Sequence, residues 1–399
     1  MNDYLGNLDG KNADLFQKIL GLCLEEGGYS LAEMSKELNI SIPTITKLVQ
    51  DLIEYGYLID MGKVGTNGGR RPSIYGLNPS AGYFVGTDVR GHHISIAVTN
   101  FNGQLVNDLS DIPFVLEGTR ESFVNLCSTL KEYLNKLGIA PEEVMAYGIN
   151  LTGRVNCETG YSFSYFLGEG LPLSNLMEEN LQSPVFIEND SRAMTYGEYI
   201  AGVCNSEKNI LFLNVSWGLG MGMIIDGKLS YGKSGYSGEI GHFPLLDNNL
   251  ICQCGKMGCL ETGASGSAVH RIFTQKLKDG RPSVLSGKFA NGERISLDDI
   301  LEAINEEDVL AIETIAEVGA TLGKAMAGLI NIFNPELVVI GGRLSAAQEY
   351  LLLPIKSAIQ KYSLNIVSRD TTIKFSKLGK KAGPIGACML SRSKLLGLL

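Results

Sequence analysis

The sequence lacks long apolar runs, an excess of positive charge and a dense set of cysteines. No stretch approaches the roughly 18 apolar residues of a membrane-spanning helix, and the polar start lacks the segments of a signal peptide. The net charge of −9 argues against a protein that coats nucleic acid or membrane along its whole length. Eight cysteines in 399 residues are too few for a disulfide scaffold. We therefore expect a cytoplasmic globular protein without a membrane partner.

Glycine, in contrast, is abundant. The chain has 48 glycines in 399 residues, whereas the usual level is about 7%. This excess indicates many positions at which the backbone turns tightly or approaches another group closely. The length predicts two or three domains.

The first eighty residues have the pattern of a helix-turn-helix. Apolar residues recur at helical spacing from Leu15 to Leu24, Ser30-Leu31-Ala32-Glu33 matches a capping box, and Ser41 is placed to cap a third helix. The third helix is predicted to bury one stripe of side chains, namely Ile45, Leu48, Val49, Leu52 and Ile53. Its outward residues are then Thr44, Thr46, Lys47 and Gln50, which suit base edges and phosphates.

A glycine-rich segment follows, with short apolar runs on either side of Gly68-Gly69-Arg70-Arg71-Pro72. It predicts a two-stranded wing whose Arg70 and Arg71 enter the minor groove of DNA. Residues 1–80 have more acidic than basic side chains, so a protein-interaction module with a solvated loop is the alternative. We favour DNA binding, with contacts from Thr44, Thr46, Lys47, Gln50, Arg70 and Arg71.

The remaining chain contains two similar blocks of short strands. Each block reads as strand, tight turn, strand, an Asn-Gly or Asp-Gly turn, and a third strand. The predicted strands are Tyr83 to Asp88, Ile94 to Thr99 and Leu105 to Leu109 in the first block, and Ile210 to Val215 and Met221 to Ile225 in the second. Two related lobes imply a cleft between them, where ligands usually bind.

Two further segments indicate where a ligand contacts the chain. Asn189 and Asp190 end a predicted strand and begin a helix, which is where ligand groups collect in alternating α/β folds. The segment from Gly218 to Gly241 holds eight glycines. A flexible linker is one interpretation, but the interleaved apolar residues favour a structured surface.

A histidine and three cysteines lie close together in the sequence: His242, Cys252, Cys254 and Cys259. Four such ligands suit a structural zinc ion, although buried cysteines without a metal are the alternative. The same segment would hold the carboxylates of Glu239 and Glu261 in place. The other cysteines lack metal-ligand spacing and are expected in the core: Cys23, Cys127, Cys157, Cys204 and Cys388.

These motifs resemble the signature of the ROK family of repressors, open reading frames and kinases. The matching segments are Ser237–His242, Cys252–Glu261, Glu188-Asn189-Asp190, Val339–Arg343 and Ala382–Ala387. With the N-terminal wing, the chain resembles the repressor branch of that family. The resemblance implies an α/β, actin-like, two-lobed sugar kinase fold, related to ribonuclease H-like ATPases. The expected domains are a winged helix at 1–80, a first lobe at 81–200 with a C-terminal helix at 384–399 packed back on it, and a second lobe with zinc at 201–383.

The resemblance also implies roles for individual residues. Sugar hydroxyls would be bound by Asn189, Asp190, Glu239, His242 and Glu261, and zinc by His242, Cys252, Cys254 and Cys259. His242 would serve both, with one ring nitrogen on zinc and the other toward the sugar. In the kinases of the family the residue that matches Asp190 is the general base.

Two departures from the family pattern argue against the use of ATP. The phosphate loop reads Asp88-Val89-Arg90-Gly91-His92-His93 instead of Asp-x-Gly-Gly-Thr, and the second phosphate turn reads Ser216-Trp217-Gly218. Bulky side chains replace the small ones that let backbone amides reach phosphates. We interpret His92 and His93 as a solvent-facing turn pair without a carboxylate partner.

The sequence therefore supports two hypotheses. The first is a repressor that binds operator DNA as a homodimer, or as a tetramer, and releases it when a sugar or sugar phosphate favours another lobe arrangement. The alternative is an ATP-dependent sugar kinase with an appended regulatory domain and Asp190 as its catalytic base. Zinc is the expected cofactor of either.

Overall fold

The computed structural model describes residues 12–63, 72–165 and 171–399. The chain divides into two compact units, Met1–Asp190 with Gly383–Leu399, and Ser191–Ala382. We call them unit 1 and unit 2. The proposed wing-tip residues Arg70 and Arg71 lie outside the described residues, so their part in the prediction stays a prediction.

The N-terminal part of unit 1 is a winged helix-turn-helix, as predicted. Its described elements are α1 (Ala13–Glu26), β1 (Tyr29–Ser30), α2 (Leu31–Leu38), α3 (Ile42–Glu54), β2 (Leu58–Lys63) and β3 (Ser73–Leu77). The strands pair in the order β1-β3-β2, and both pairings are antiparallel. Strand β1 was not expected, because a two-residue strand leaves no periodic signal.

Side-chain caps fix the starts of α2 and α3. Ser30 forms a reciprocal capping box with Glu33, and the Ser41 hydroxyl accepts a hydrogen bond from the Thr44 N–H. Four residues of the predicted stripe on α3 are buried, but Ile53 is 37% exposed. The prediction for Ile53 was wrong because the helical rotation of about 100° per residue places it at the edge of the buried stripe.

The rest of unit 1 is built on a five-stranded sheet. In chain order the elements are β4 (Tyr83–Val89), β5 (His93–Asn100), β6 (Leu105–Pro113), α4 (Arg120–Leu137), β7 (Val144–Leu151), β8 (Val155–Asn156), β9 (Tyr161–Ser162), α5 (Leu173–Leu181) and β10 (Val185–Asn189). The sheet order is β10-β7-β4-β5-β6. β4, β5 and β6 form an antiparallel meander, and β7 and β10 add parallel strands on the other side of β4.

Unit 2 repeats this arrangement. From α6 (Asp190–Ala201), which crosses from unit 1, the elements are β11 (Ile210–Val215), β12 (Leu219–Ile225), β13 (Lys228–Leu229), α7 (Gly266–Lys278), α8 (Ser286–Ala290), α9 (Leu297–Asn305), α10 (Val309–Phe333), β14 (Leu337–Gly341), α11 (Glu349–Tyr362), α12 (Asn365–Ser368) and β15 (Thr372–Phe375). The last helix, α13 (Ala382–Leu395), belongs to unit 1 from its second residue onward. Its sheet order, β13-β12-β11-β14-β15, is again an antiparallel meander followed by two parallel strands. The predicted internal repeat is confirmed.

Helix α10 is the central helix of unit 2. Its 25 residues are long and apolar enough for a membrane span by length and composition, but most of its apolar side chains belong to the core of unit 2. Small residues on one side of the helix let α11 approach: a Cβ on Gly319 or Gly323 would lie within 3.0 Å of the backbone oxygen of Leu351 or Ile355. These features are those of a core helix in a globular unit.

The last residues of the sequence pack against α1 of the winged helix. Leu396 is fully buried, Gly397 lies against the Gln17 side chain of α1, and a Cβ on Gly21 would lie 2.9 Å from Leu398 Cδ2. The winged helix therefore contacts the C-terminal residues directly.

Helix α13 also packs closely on the sheet of unit 1. A Cβ on Gly86 of β4 would collide with the backbone of Pro384 and Cys388, and one on Gly148 of β7 would collide with the Ala387 backbone. Because the obstacles are backbone atoms, they cannot move aside as a flexible side chain could. Glycine is required at both positions for this helix to lie on the sheet.

Replacing Gly86 by alanine is expected to destabilise the protein by about 1–3 kcal/mol, the usual cost of overpacking. Thermal unfolding of the variant should begin at a lower temperature than that of the wild type. Gly91→Ala is the matched control, because a Cβ there meets nothing within 4 Å. Equal stability of Gly86→Ala and the wild type would show that α13 does not pack as described.

Candidate functional site

In unit 1, the polar residues predicted at the end of β10 are held by local hydrogen bonds. The Asn189 side-chain amide donates to Asp190 Oδ1 at 3.0 Å and to the Gly153 carbonyl at 3.1 Å. Both side chains are half-buried. The pair therefore presents carboxylate and amide oxygens at the carboxyl edge of the parallel strands, where a ligand hydroxyl could donate a hydrogen bond.

Asp88, at the end of β4, is fully buried and paired with Arg90. The Nε and Nη2 atoms of Arg90 both donate to Asp88 Oδ2, at 2.9 and 2.7 Å. Asp88 in turn raises the pKa of Arg90. Asp88 also packs against Gly383 in the first turn of α13, whose carbonyl accepts a hydrogen bond from Asn150. The altered phosphate loop thus contains its own cation, bound to the carboxylate that begins the motif.

The second altered turn, in unit 2, is also filled by its own side chains. The Ser216 hydroxyl donates to Asn214 Oδ1 at 2.8 Å and accepts from the Arg343 N–H at 3.3 Å. Trp217 is 49% exposed, and its ring lies 5.6 Å from that of His270. An indole at this turn leaves less room for phosphate than the small side chain that it replaces.

The histidine and three cysteines singled out in the sequence come together in unit 2. Their ligand atoms all lie within 4.8 Å of one another. Cys254 Sγ and Cys259 Sγ are 3.6 Å apart, as are Cys252 Sγ and His242 Nδ1. A zinc ion with sulfur at about 2.3 Å in a tetrahedron requires ligand separations of about 3.8 Å. The four residues present thus fit a structural zinc ion in number, type and spacing.

The three thiols differ in acidity. Burial raises the pKa of the Cys252 thiol to about 12 and raises that of Cys259, whereas the N–H of Lys256 lowers that of Cys254. Zinc binds thiolates, so a metal at this cluster would displace the thiol protons.

Glu239 and Glu261 flank this cluster. Glu239 Oε2 lies 3.7 Å from His242 Nε2, the ring nitrogen that does not face Cys252. Glu261 Oε2 accepts a hydrogen bond from the Leu219 N–H at 2.9 Å, while its other oxygen is 3.7 Å from Cys252 Sγ. The cluster and both carboxylates therefore form one connected group within unit 2.

A small cavity borders this group. It is lined by Cys252 and Glu261 and by the polar residues Thr262, Ser267 and Arg271, among others. Its volume of about 180 Å³ is below the 300–1,000 Å³ typical of small-molecule sites.

The predicted DNA-contact residues of α3 share its outward face. Thr44, Lys47 and Gln50 are exposed and Thr46 is half-buried. The Thr46 hydroxyl donates to the Ile42 carbonyl, and the Thr44 hydroxyl is 2.8 Å from that of Ser41. Each hydroxyl retains hydrogen-bonding capacity for another partner.

Some predictions for histidine and cysteine were wrong. His93 begins β5, is only half-buried and lies 3.6 Å from Asp111 Oδ1, so it is not a solvent-facing turn residue without a carboxylate partner. His92 is exposed, as expected. Among the cysteines expected in the core, Cys157 and Cys204 are only half-buried.

Arg192 and Arg90 carry contacts that the sequence did not predict. The Arg192 guanidinium donates to the Gly235 carbonyl, 43 residues further along the chain. The signal in the sequence was an arginine in the first turn of α6, directly before Ala193 and Met194. Side chains two residues apart on a strand point to the same face of the sheet, so the pairing of Arg90 with Asp88 could have been predicted only if the strand were known to continue to residue 90.

Comparison with known proteins agrees with this architecture. Residues 84–394 match the model of the ROK family, and residues 17–59 match a winged helix-turn-helix DNA-binding model. The fold and site thus define a winged helix-turn-helix joined to an actin-like sugar kinase fold. The chain belongs to the ROK family, as the sequence motifs predicted.

Individual relatives include both regulators and a kinase. The chain is 28% identical to a xylose repressor of Caldicellulosiruptor bescii over 95% of both chains. It is 30% identical to a glucokinase of Halalkalibacterium halodurans over 78% of this chain and 96% of that one. Among solved structures, a ROK family transcriptional regulator described as a homologue of the Escherichia coli MLC protein matches with a TM-score of 0.81, at 28% identity and over 96% of both chains.

Proposed function

We propose that this protein is a sugar-responsive transcriptional repressor that binds operator DNA through the winged helix and a sugar or sugar phosphate through its ROK domain. The observation that carries the proposal is the joining of a winged helix, whose α3 presents polar side chains outward, to a sugar kinase fold whose Asp88 is paired with Arg90. The xylose repressor covers 95% of the chain, including this winged helix, whereas the glucokinase covers 78%.

The sugar would be recognised by the polar residues described above: Asn189, Asp190, Glu239, His242 and Glu261. Their carboxylate, amide and imidazole groups donate to and accept from several hydroxyls, which discriminates strongly against ligands that lack them. His242 supports a double role because its two ring nitrogens face different groups, Cys252 and Glu239. Binding would favour a conformation with lower affinity for the operator, by the difference in sugar affinity between the two conformations.

A structural zinc ion would be bound by His242, Cys252, Cys254 and Cys259. The ion would hold the segments that carry Glu239 and Glu261, and it supplies no chemistry to the sugar in this proposal. Operator DNA would be contacted by Thr44, Thr46, Lys47 and Gln50 of α3 and by Arg70 and Arg71 of the wing. We further propose a cytoplasmic homodimer, or a tetramer, since two-fold related winged helices match palindromic half-sites.

A sugar kinase is the second candidate function, favoured by the 30% identical glucokinase and by Asp190 at the end of β10. In that case Asp190 would accept the proton of the sugar hydroxyl that attacks ATP. The Asp88–Arg90 pair argues against it, because magnesium and ATP phosphates would have to compete with a bound guanidinium. ATP-dependent phosphate transfer to a sugar, abolished in Asp190→Asn, would favour the kinase.

The full-length protein is expected to bind a duplex selected from random DNA and to release it when the correct sugar is added. A thermal-shift screen with D-xylose, D-glucose, N-acetyl-D-glucosamine and D-glucose 6-phosphate identifies that sugar, because a ligand of the folded state raises its stability. Release is then measured by fluorescence anisotropy of the labelled duplex. Selection of no duplex, or binding that none of these sugars weakens, would contradict the proposal.

Lys47→Ala tests the DNA contact within the same assay. Affinity should fall, and the slope of log affinity against log salt should become shallower by about 1.8, because the homodimer loses one phosphate contact, worth about 0.9, from each subunit. Lys356→Ala removes the same charge from an exposed position of α11 in unit 2 and should leave the slope unchanged.

A further inference from the structure

Arg192 is a buried cation in the first turn of α6, two residues after Asp190. Its side chain is almost inaccessible, with 3% exposure of the residue, and its neighbours from Ser191 to Glu198 are all buried. Removing a guanidinium from water is costly unless its N–H groups find acceptors. The acceptors of Arg192 are therefore structurally important.

One acceptor of Arg192 lies in a loop that precedes the histidine and cysteine cluster. Nη1 of Arg192 donates to the Gly235 carbonyl at 2.7 Å, and the guanidinium lies 5.7 Å from the centre of the Tyr231 ring. The loop closes on itself, because the Ser237 N–H donates to the Tyr231 carbonyl and the Ser237 hydroxyl donates to the Ser230 carbonyl. Arg192 thus holds a loop that is already compact, by a hydrogen bond and a cation–π contact.

This loop leads directly to Glu239. Gly238, with φ of +90°, passes so close to the Met221 carbonyl that a Cβ would collide with it. Glu239 follows, with its carboxylate 3.7 Å from His242 Nε2. Its backbone is fixed on the C-terminal side by the hydrogen bond from the His242 N–H to the Glu239 carbonyl, and on the N-terminal side by β12 and by the loop that Arg192 holds.

We infer that Arg192 is a positioning residue for ligand recognition, which ties the first turn of the helix that follows Asn189 and Asp190 to the loop that places Glu239. The inference rests on the proposed function, in which Glu239 binds the sugar. Arg192 itself does not contact the sugar. Its effect is to order the Glu239 segment before binding, so that less ordering entropy is lost when the sugar binds.

A double-mutant cycle tests this inference on the full-length protein. Wild type, Arg192→Met, Glu239→Gln and the double variant are titrated calorimetrically with D-xylose, D-glucose, N-acetyl-D-glucosamine and D-glucose 6-phosphate. Arg192→Met is expected to weaken binding about tenfold, the size of one hydrogen bond to a charged group. If Arg192 acts through Glu239, the double variant should bind no more weakly than Glu239→Gln. If the loss of sugar affinity in the double variant equals the product of the losses in the two single variants, the inference is overturned.

Arg192→Lys provides the conservative variant. A lysine keeps the charge and one donor to Gly235 but loses the planar fork, so it should restore part of the affinity that Arg192→Met loses. It also replaces methionine in the cycle if Arg192→Met does not fold. Metal content and operator affinity without sugar should match those of the wild type in every variant, and their loss would indicate a general structural role and overturn the inference.

A hydrogen-exchange measurement tests the inference without any sugar. Backbone amides from Gly238 to His242 should exchange faster in Arg192→Met and Arg192→Lys than in the wild type, because the loop before them is no longer held. Unchanged exchange would overturn the inference. If the wild type responds to none of the four sugars, the proposed sugar function fails, and exchange alone decides the role of Arg192.

Discussion

Replacing Cys259 by serine is expected to remove bound zinc and to lower the melting temperature of unit 2 by about 10 °C. Loss of a structural metal is among the few single changes that cost 4 kcal/mol or more, and for a unit of this size each kcal/mol corresponds to roughly 2–4 °C. The cause is the geometry of the cluster, in which Cys259 Sγ lies 3.6 Å from Cys254 Sγ. Plasma emission spectrometry measures the metal, and calorimetry measures the transition.

The same variant should also lose its response to sugar. Without the metal, the segments that carry Glu239 and Glu261 are no longer held by His242 and Cys252, so the carboxylates are not preorganised. Cys204→Ser is the matched control, since Cys204 is a free thiol of the same unit outside the cluster. Full metal content and an unchanged transition in Cys259→Ser would show that Cys259 is not a ligand of a structural metal.

Replacing Asp190 by asparagine is expected to give a repressor that binds its operator normally and does not release it with sugar. The substitution preserves size but removes the charge that strengthens hydrogen bonds to sugar hydroxyls, which are worth about 1.5–3 kcal/mol each. Sugar affinity should therefore fall about 10- to 100-fold. Calorimetric titration measures the sugar, and anisotropy measures the operator.

Asp247→Asn is the control for this change, because Asp247 is an exposed acid of unit 2 outside the proposed sugar residues. It should respond to sugar as the wild type does. Normal sugar release from the operator by Asp190→Asn would remove Asp190 from the proposed site. Weakened operator binding in the absence of sugar would show that Asp190 also supports the DNA-binding conformation.

Local features of the sequence predicted the elements that depend on neighbouring residues. The starts of α2 and α3 could be predicted because each is marked by a capping serine, Ser30 or Ser41, whose hydroxyl bonds to the residue three positions later. The grouping of His242 with Cys252, Cys254 and Cys259 could be predicted from their spacing, because residues within one short segment cannot lie far apart in space. The repeated strand order followed from two hairpins with the same turn pattern.

Contacts between distant parts of the chain could not be predicted in this way. Arg192 and Gly235 are joined across 43 residues, and Gly86 packs on the backbone of Pro384 and Cys388. Such pairs depend on how the strands assemble, which periodicity does not encode. The burial of Ile53 could not be predicted for a similar reason. A residue at the edge of a helical stripe is buried or exposed according to the neighbouring element.

Because α13 packs on Gly86 and Gly148, unit 1 cannot finish folding before α13 has been synthesised. Unit 1 consists of the beginning and the end of the chain, and the ribosome must add all of unit 2, Ser191–Ala382, between them. At about 5–20 residues per second this takes roughly 10 to 40 s, during which the nascent sheet lacks its last helix. The winged helix can fold early, but its contact with Gly397 and Leu398 forms only after these residues have been synthesised. A prematurely terminated chain would therefore have the DNA-reading helices without the residues against which they pack.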